Sequence, residues 1–289
     1  TLDPVNIMPL WREAAHKPDM KFVAKQFNTT VEKVFGAVCK PFIINFYRPG
    51  RGEAKTPEDK ARMEAENKES MKIIKSHYLR NVHCAIMPEG TTETDGTVYP
   101  IKSGCYTLSS IENKGELVKI PMLPIGLTYD MLSGGKHWLT GKRRNLVFVN
   151  MAKPITYEKF SEDIKQDIKY HTRKVRDILV AHNTITTAQL AGEYITIRAS
   201  KGEQELSESR LQDLVAARIE GLSKLEGLTF DRALLNETKR QNRVANLYNN
   251  IQDYMTGENK VSLEKVLLEA DPVTYKKKNP LRYCANRLI

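Results

Sequence analysis

The chain is poor in cysteine, in tryptophan and in long apolar runs, and each shortage closes off a class of protein. Its four cysteines, Cys39, Cys84, Cys105 and Cys284, are widely spaced with no C-x-x-C pair. That excludes a zinc knuckle and a disulfide framework, and makes a reducing compartment the default. No run approaches the ~20 apolar residues that a membrane-spanning helix needs. The histidines show no metal-ligand spacing such as H-E-x-x-H, so no metal and no bound cofactor are expected. Gly134-Gly135-Lys136 and Gly141-Lys142-Arg143-Arg144 are glycine and basic loops without the P-loop pattern, which argues against nucleotide hydrolysis. Of the two tryptophans, Trp138 beside the first of these loops fits either an interfacial aromatic anchor or a hairpin tip.

What is present is a water-facing chain of 289 residues, long enough for one large domain or two smaller ones. Hydrophobic residues make up 40% and the mean hydropathy is -0.47. The formal charge of +10 is unevenly placed. Residues 1 to 180 hold 29 Lys or Arg against 21 Asp or Glu, whereas residues 181 to 289 hold 16 against 14. A basic first part suits an anionic bilayer surface and phosphate-bearing substrates. Nucleic acid answers to the same field, but no nucleic-acid motif accompanies it.

Periodicity predicts alternating helix and strand through the first part. Helices are expected at 5 to 16, 30 to 38, 57 to 78, 101 to 111 and 157 to 182. Strands are expected at 21 to 25, 42 to 47, 83 to 87, 119 to 129 and 146 to 150. Thr56-Pro57-Glu58-Asp59 is a helix start with a capping hydroxyl, Pro in the first turn and acids that complement the dipole. Gly192 to Ser200 reads as a short strand or helix. From Ser207 onward the pattern is helical, with helices near Asp231 to Met255 and Ser262 to Ala270. The expected fold class is therefore α/β, a layered mixed sheet with flanking helices, followed by an α-helical C-terminal region. The expected division is 1–185 and 186–289. Tyr275-Lys276-Lys277-Lys278 near the end reads as a solvated turn or as a contact for lipid headgroups.

Four motifs stand in order along the first part. Leu2-Asp3-Pro4 opens the chain. Phe42-Ile43-Ile44-Asn45-Phe46-Tyr47-Arg48-Pro49-Gly50-Arg51 closes an apolar strand with two arginines. Pro88-Glu89-Gly90-Thr91-Thr92 follows the short apolar run from His83 to Met87. By itself this is also the pattern of a polar turn after a strand. Gly and Thr there let the backbone pass close to a ligand at the strand's C-terminal end, where open α/β sheets bind theirs. Ile120-Pro121-Met122-Leu123-Pro124-Ile125-Gly126-Leu127 is an apolar strand with proline inside it, which argues for a sheet edge or a bend.

Order and spacing of these motifs resemble those of the glycerolipid acyltransferases, the lysophosphatidate acyltransferase family, over roughly residues 1 to 160. The resemblance implies that Asp3 ends a His-x(4)-Asp block whose catalytic His would be the third residue upstream of Thr1, so that the chain starts inside the motif. It implies a general-base mechanism in which Asp3 orients that His. Glu89, Gly90, Thr91 and Thr92 would bind the acceptor, Arg48 or Arg51 would hold its phosphate, and the block around Pro124 would meet the acyl donor. Many members continue with Arg-Ser where this chain has Thr92-Glu93, which leaves the acceptor open between lysophosphatidate, another lysolipid and glycerol phosphate. Lys102 would supply a replacing cation or is simply an exposed lysine at a helix start. The implied co-substrate is acyl-CoA or acyl-carrier protein, and the implied setting is the cytoplasmic face of an anionic membrane, with no nucleic acid. A noncatalytic lipid-binding relative of the same fold is the competing reading.

Overall fold

The computed structural model describes residues 20–24, 43–45, 55–89, 96–136, 139, 141, 144–257, 259–268 and 279–288. They fall into two compact units. One comprises Thr1–Thr91, Lys102–Pro121 and Thr156–Glu158, the other Thr92–Ile101, Met122–Ile155 and Lys159–Ile289. The expected helices at 5 to 16 and 30 to 38 lie outside the described residues.

The first unit is built on three parallel strands, β1 (Met20–Ala24), β2 (Ile43–Asn45) and β3 (His83–Ile86), in the order β2-β1-β3. Helix α1 (Pro57–Leu79) separates β2 from β3 along the chain, as parallel pairing requires of a crossover. It starts where the sequence says it should: the Thr56 hydroxyl accepts from the Asp59 amide at 3.1 Å, with Pro57, Glu58 and Asp59 in the first turn. Its inward stripe, Met63, Ser70 and Ile74, is buried. Ile74 joins Ile44 and Leu108 in a small core to which Met71, Tyr78, Cys84 and Ile86 add.

Past this sheet, the helix expected at 101 to 111 is cut short. Helix α2 covers only Gly104–Leu108, and β4 (Ser110–Asn113) then pairs antiparallel with β5 (Glu116–Lys119). The cause is the two-residue turn Lys114-Gly115, with φ of 53° and 82°. Two consecutive positive φ values make the hairpin turn whose twist matches the flanking strands. The strand expected over 119 to 129 is likewise divided, because Pro121 and Pro124 cannot donate to a ladder.

In the second unit, β6 (Ile125–Asp130) pairs antiparallel with β7 (Leu146–Met151). Helices α3 (Ile164–Ala181), α4 (Thr187–Ser200), α5 (Glu208–Leu222), α6 (Glu237–Asn250), α7 (Leu263–Leu267) and α8 (Pro280–Ala285) follow. The short strands β8 (Thr184–Ile185) and β9 (Thr229–Phe230) pair in parallel among them. Residue 185, the expected boundary, lies inside this unit: Ile185 shares one core with Leu190, Leu211, Leu247 and Leu281. Helix α4 is the centre, buried on all sides from Thr187 to Gly192. Gly192 lets α8 approach, since a Cβ there would stand 2.7 Å from the Leu281 carbonyl oxygen. Gly96, at φ +91°, meets the Tyr283 carbonyl in the same way.

Helix α3 begins at Asp163, whose carboxylate accepts from the Lys165 amide, and so starts later than the expected Tyr157. It turns Asp167, His171 and Val175 inward. The Asp167 carboxylate accepts from the Phe160 and Ser161 amides at 2.7 and 3.2 Å, which pins the chain entering the helix. Burial pulls the His171 imidazole below the ordinary histidine range; Asp167 opposes this and Lys174 adds to it. A depressed histidine takes up its proton in the unfolded chain first, so its contribution to stability is present above about pH 6.5 and is lost as the pH falls below that value. Urea midpoints measured from pH 7 to pH 5 should fall in the native chain, and His171→Gln should flatten that fall; equal slopes would contradict this account of His171.

Candidate functional site

The three parallel strands of the first unit end at one edge. The register pairs Ala24 with Asn45 and Val23 with Ile86, so β2 and β3 finish almost level on either side of β1. Two interstrand spacings separate them, about 10 Å. This C-terminal edge is where open α/β sheets bind ligands.

Met87, Pro88 and Glu89 leave β3 at that edge, and all three are half-buried. The turn is held from outside the strand, because the Lys102 amide donates to the Pro88 carbonyl at 2.8 Å. The Lys102 side chain itself is exposed. Its carbonyl accepts from the Cys105 thiol at 3.3 Å, at the start of α2. Thus the sequence from 102 to 105 is tied at one end to the Pro-Glu turn and at the other to a buried cysteine.

Cys84, within β3 and opposite Lys21 in the register, has its thiol pushed up to about 11 by burial, with Lys21 partly opposing. Cys105 is likewise pushed up to about 11 by burial. Burial that raises a thiol's pKa lowers its thiolate fraction and with it its reactivity as a nucleophile. Neither residue suits a covalent acyl-thioester step.

Pro124 lies in the second unit, buried, at the start of β6. Its carbonyl accepts from the Ala152 amide at 2.9 Å, and the backbone of Met122 exchanges two hydrogen bonds of 2.8 Å with Ile155. The missing N–H of Pro124 therefore falls just before the regular ladder begins, a position a strand tolerates. Asp3, Arg48, Arg51, Gly90, Thr91 and Thr92 lie outside the described residues. Arg48 and Arg51 stand three and six positions beyond Asn45 along the chain.

No protein-family model matches the chain, and no curated protein or solved structure is significantly similar to it. The resemblance to the glycerolipid acyltransferases accordingly rests on the motif residues and their order alone. Among the described residues no group of histidine, cysteine and carboxylate side chains could hold a metal ion, and no helix is long and apolar enough to cross a membrane.

Two features of the second unit escaped the sequence reading. One is the buried carboxylate of Asp130, which joins β6 to α4. The other is an exposed cationic face of α3, signalled by the four-residue spacing of Lys165, Lys169 and Arg173.

Proposed function

We propose that this chain is an O-acyltransferase that moves a fatty acyl group from acyl-CoA or acyl-carrier protein to the hydroxyl of a lysophospholipid, with lysophosphatidate the leading acceptor, at the cytoplasmic face of a membrane. The observation that carries the reading is the shared edge of the parallel sheet: the Pro88-Glu89 turn leaves β3 there, and β2 ends there on its way to Arg48 and Arg51. Arg48 and Arg51 follow the end of β2 by three and six residues of sequence, which supports a reading in which both motifs serve one ligand at that edge.

In this proposal the Asp3 carboxylate orients and supports the general base that takes the proton of the acceptor hydroxyl, a His that the resemblance puts before Thr1 and so outside these 289 residues. The oxygen attacks the thioester carbonyl directly, the C–S bond breaks, and the proton passes to the departing thiolate. Cys84 and Cys105 lie where burial pushes both thiols up, which suits direct transfer better than a route through either of them. Glu89, Gly90 and Thr91 hold the acceptor. Arg48 and Arg51 grip the acceptor phosphate through charge-assisted hydrogen bonds.

This assignment predicts a split in the kinetics. Arg48→Ala together with Arg51→Ala should raise the acceptor's KM about 10- to 100-fold, the worth of hydrogen bonds to a charged group. The donor's KM should stay as it was. Weakening of the donor alone would remove both arginines from the acceptor site.

A further inference from the structure

Because α3 turns Asp167, His171 and Val175 inward, its opposite side faces water. Lys165, Lys169, Arg173 and Arg176 all lie on that side and all are exposed. Their spacing of four, four and three residues draws them into one stripe about 16 Å long. Asp177 is the acidic residue on the same face. Among the described residues none of the four cations is in an ion pair; Arg176 donates to the Val98 carbonyl at 3.4 Å. Among the described residues, then, no carboxylate is paired with this stripe, although Asp177 lies near its C-terminal end.

At the N-terminal end of the helix two aromatic rings stand in the open. Phe160 and Tyr170 stack at 4.0 Å between centroids and 8° between planes, with 59% and 41% of their surfaces exposed. Tyr170 follows Lys169 about 100° round the helix, so the stacked pair flanks the cationic stripe, and exposed rings and cations on one helix match the chemistry of a bilayer surface. Aromatic bodies lie at the headgroup level, and long cationic side chains reach the lipid phosphates. A nucleic acid suits the face less well, since stacking of bases needs free ring faces and these two rings each close one face against the other.

We propose that this face of α3, with the Phe160 and Tyr170 pair, is the surface by which the protein docks on an anionic lipid bilayer, an assignment of partner that rests on the acyltransferase reading. The test is co-sedimentation of the whole chain with vesicles of equal parts phosphatidylserine and phosphatidylcholine, beside vesicles of phosphatidylcholine alone. The chain should bind the anionic vesicles. Lys165→Gln, Lys169→Gln and Arg173→Gln together should weaken that binding about 100-fold, roughly fivefold for each cation near a charged leaflet. Phe160→Ala should weaken it about tenfold through lost apolar contact. The three cationic positions are exposed and carry no ion pair among the described residues, so the melting temperature of the triple variant should not move, whereas Phe160→Ala loses its stack on Tyr170 and is compared well below its own melting temperature.

Equal binding by the triple variant and the native chain would overturn the proposal. So would equal binding to the uncharged vesicles, or tighter binding of a DNA duplex through the same three cations. Thioester turnover on detergent-dispersed acceptor, run in parallel, separates this from the enzymatic reading. Charge-dependent docking without turnover would support the α3 surface and sink the acyltransferase. Turnover that persists while the native chain ignores anionic vesicles would do the reverse.

Discussion

Thioester turnover should fall about 100- to 10,000-fold in Asp3→Ala, the range that general-base assistance supplies. The carboxylate acts through the base it orients, so its loss leaves the hydroxyl proton without a well-held acceptor. Glu89→Gln should show a loss of the same order while preserving size and shape. Glu89 is half-buried at the C-terminal edge of the parallel sheet, and its turn is held through the Pro88 carbonyl and the Lys102 amide. The substitution alters neither of those backbone groups, so far-ultraviolet circular dichroism should still show the folded chain as activity is lost. Acceptor-dependent rates at saturating donor check both variants. Normal turnover in both would end the site assignment.

Asp130→Ala should lower stability by about 4 kcal/mol or more, the cost of leaving several buried donors without their charged acceptor. Asp130 is fully buried at the end of β6. One carboxylate oxygen accepts from the amides of Leu132 and Ser133 at 3.0 and 2.8 Å. The other accepts from the Ser133 hydroxyl and, at 3.2 Å, from the Ala188 amide in the first turn of α4. A negative group at that helix end is favoured twice, by the free amides and by the helix dipole. Removing it unties the strand from the helix around which the second unit packs. Urea denaturation followed by tryptophan-independent far-ultraviolet circular dichroism measures the change. A loss within about 1 kcal/mol, the size of an ordinary hydrogen bond, would show that Asp130 does not hold these parts together.

Local chemistry was the part of the fold legible in the sequence. The helices of the second unit open at Asp163, Thr186, Ser207, Asn236, Ser262 and Asn279, and each of these side chains accepts from an amide in the first turn. Such caps act over three residues. The sequence reading set the helices capped by Asp163 and Asn236 to begin at Tyr157 and Asp231 and missed the starts at Thr186 and Asn279, but it placed helix starts at Ser207 and Ser262. The start of α1 at Thr56 and the apolar run that became β3 were legible for the same reason. Ile101 to Ile111 misled because its apolar residues suit a helix, while the turn at Lys114-Gly115, just beyond, draws its last two residues into a strand.

Long-range ties left no such mark. Asp130 reaches Ala188 across 58 positions, and Asn250 reaches the Leu132 carbonyl across 118. Periodicity reports spacing along one element and says nothing of which elements meet. The placement of Ile185 in the same core as Leu281 escaped for that reason, and with it the place where the chain divides. At the candidate site, the Pro-Glu turn could be assigned to the C-terminal end of a strand from its residues alone. That β2 lies parallel to that strand, one strand away and ending level with it, required the sheet.

The most direct test of the proposed activity is thiol release from a long-chain acyl-CoA by the full-length native protein, with whatever precedes Thr1 in it included, with and without lysophosphatidate. The account predicts release that depends on the acceptor and yields phosphatidate in equal amount. A folded protein that releases no thiol with lysophosphatidate, with any other lysolipid or with glycerol phosphate would contradict it, and would leave a lipid-binding fold without the chemistry.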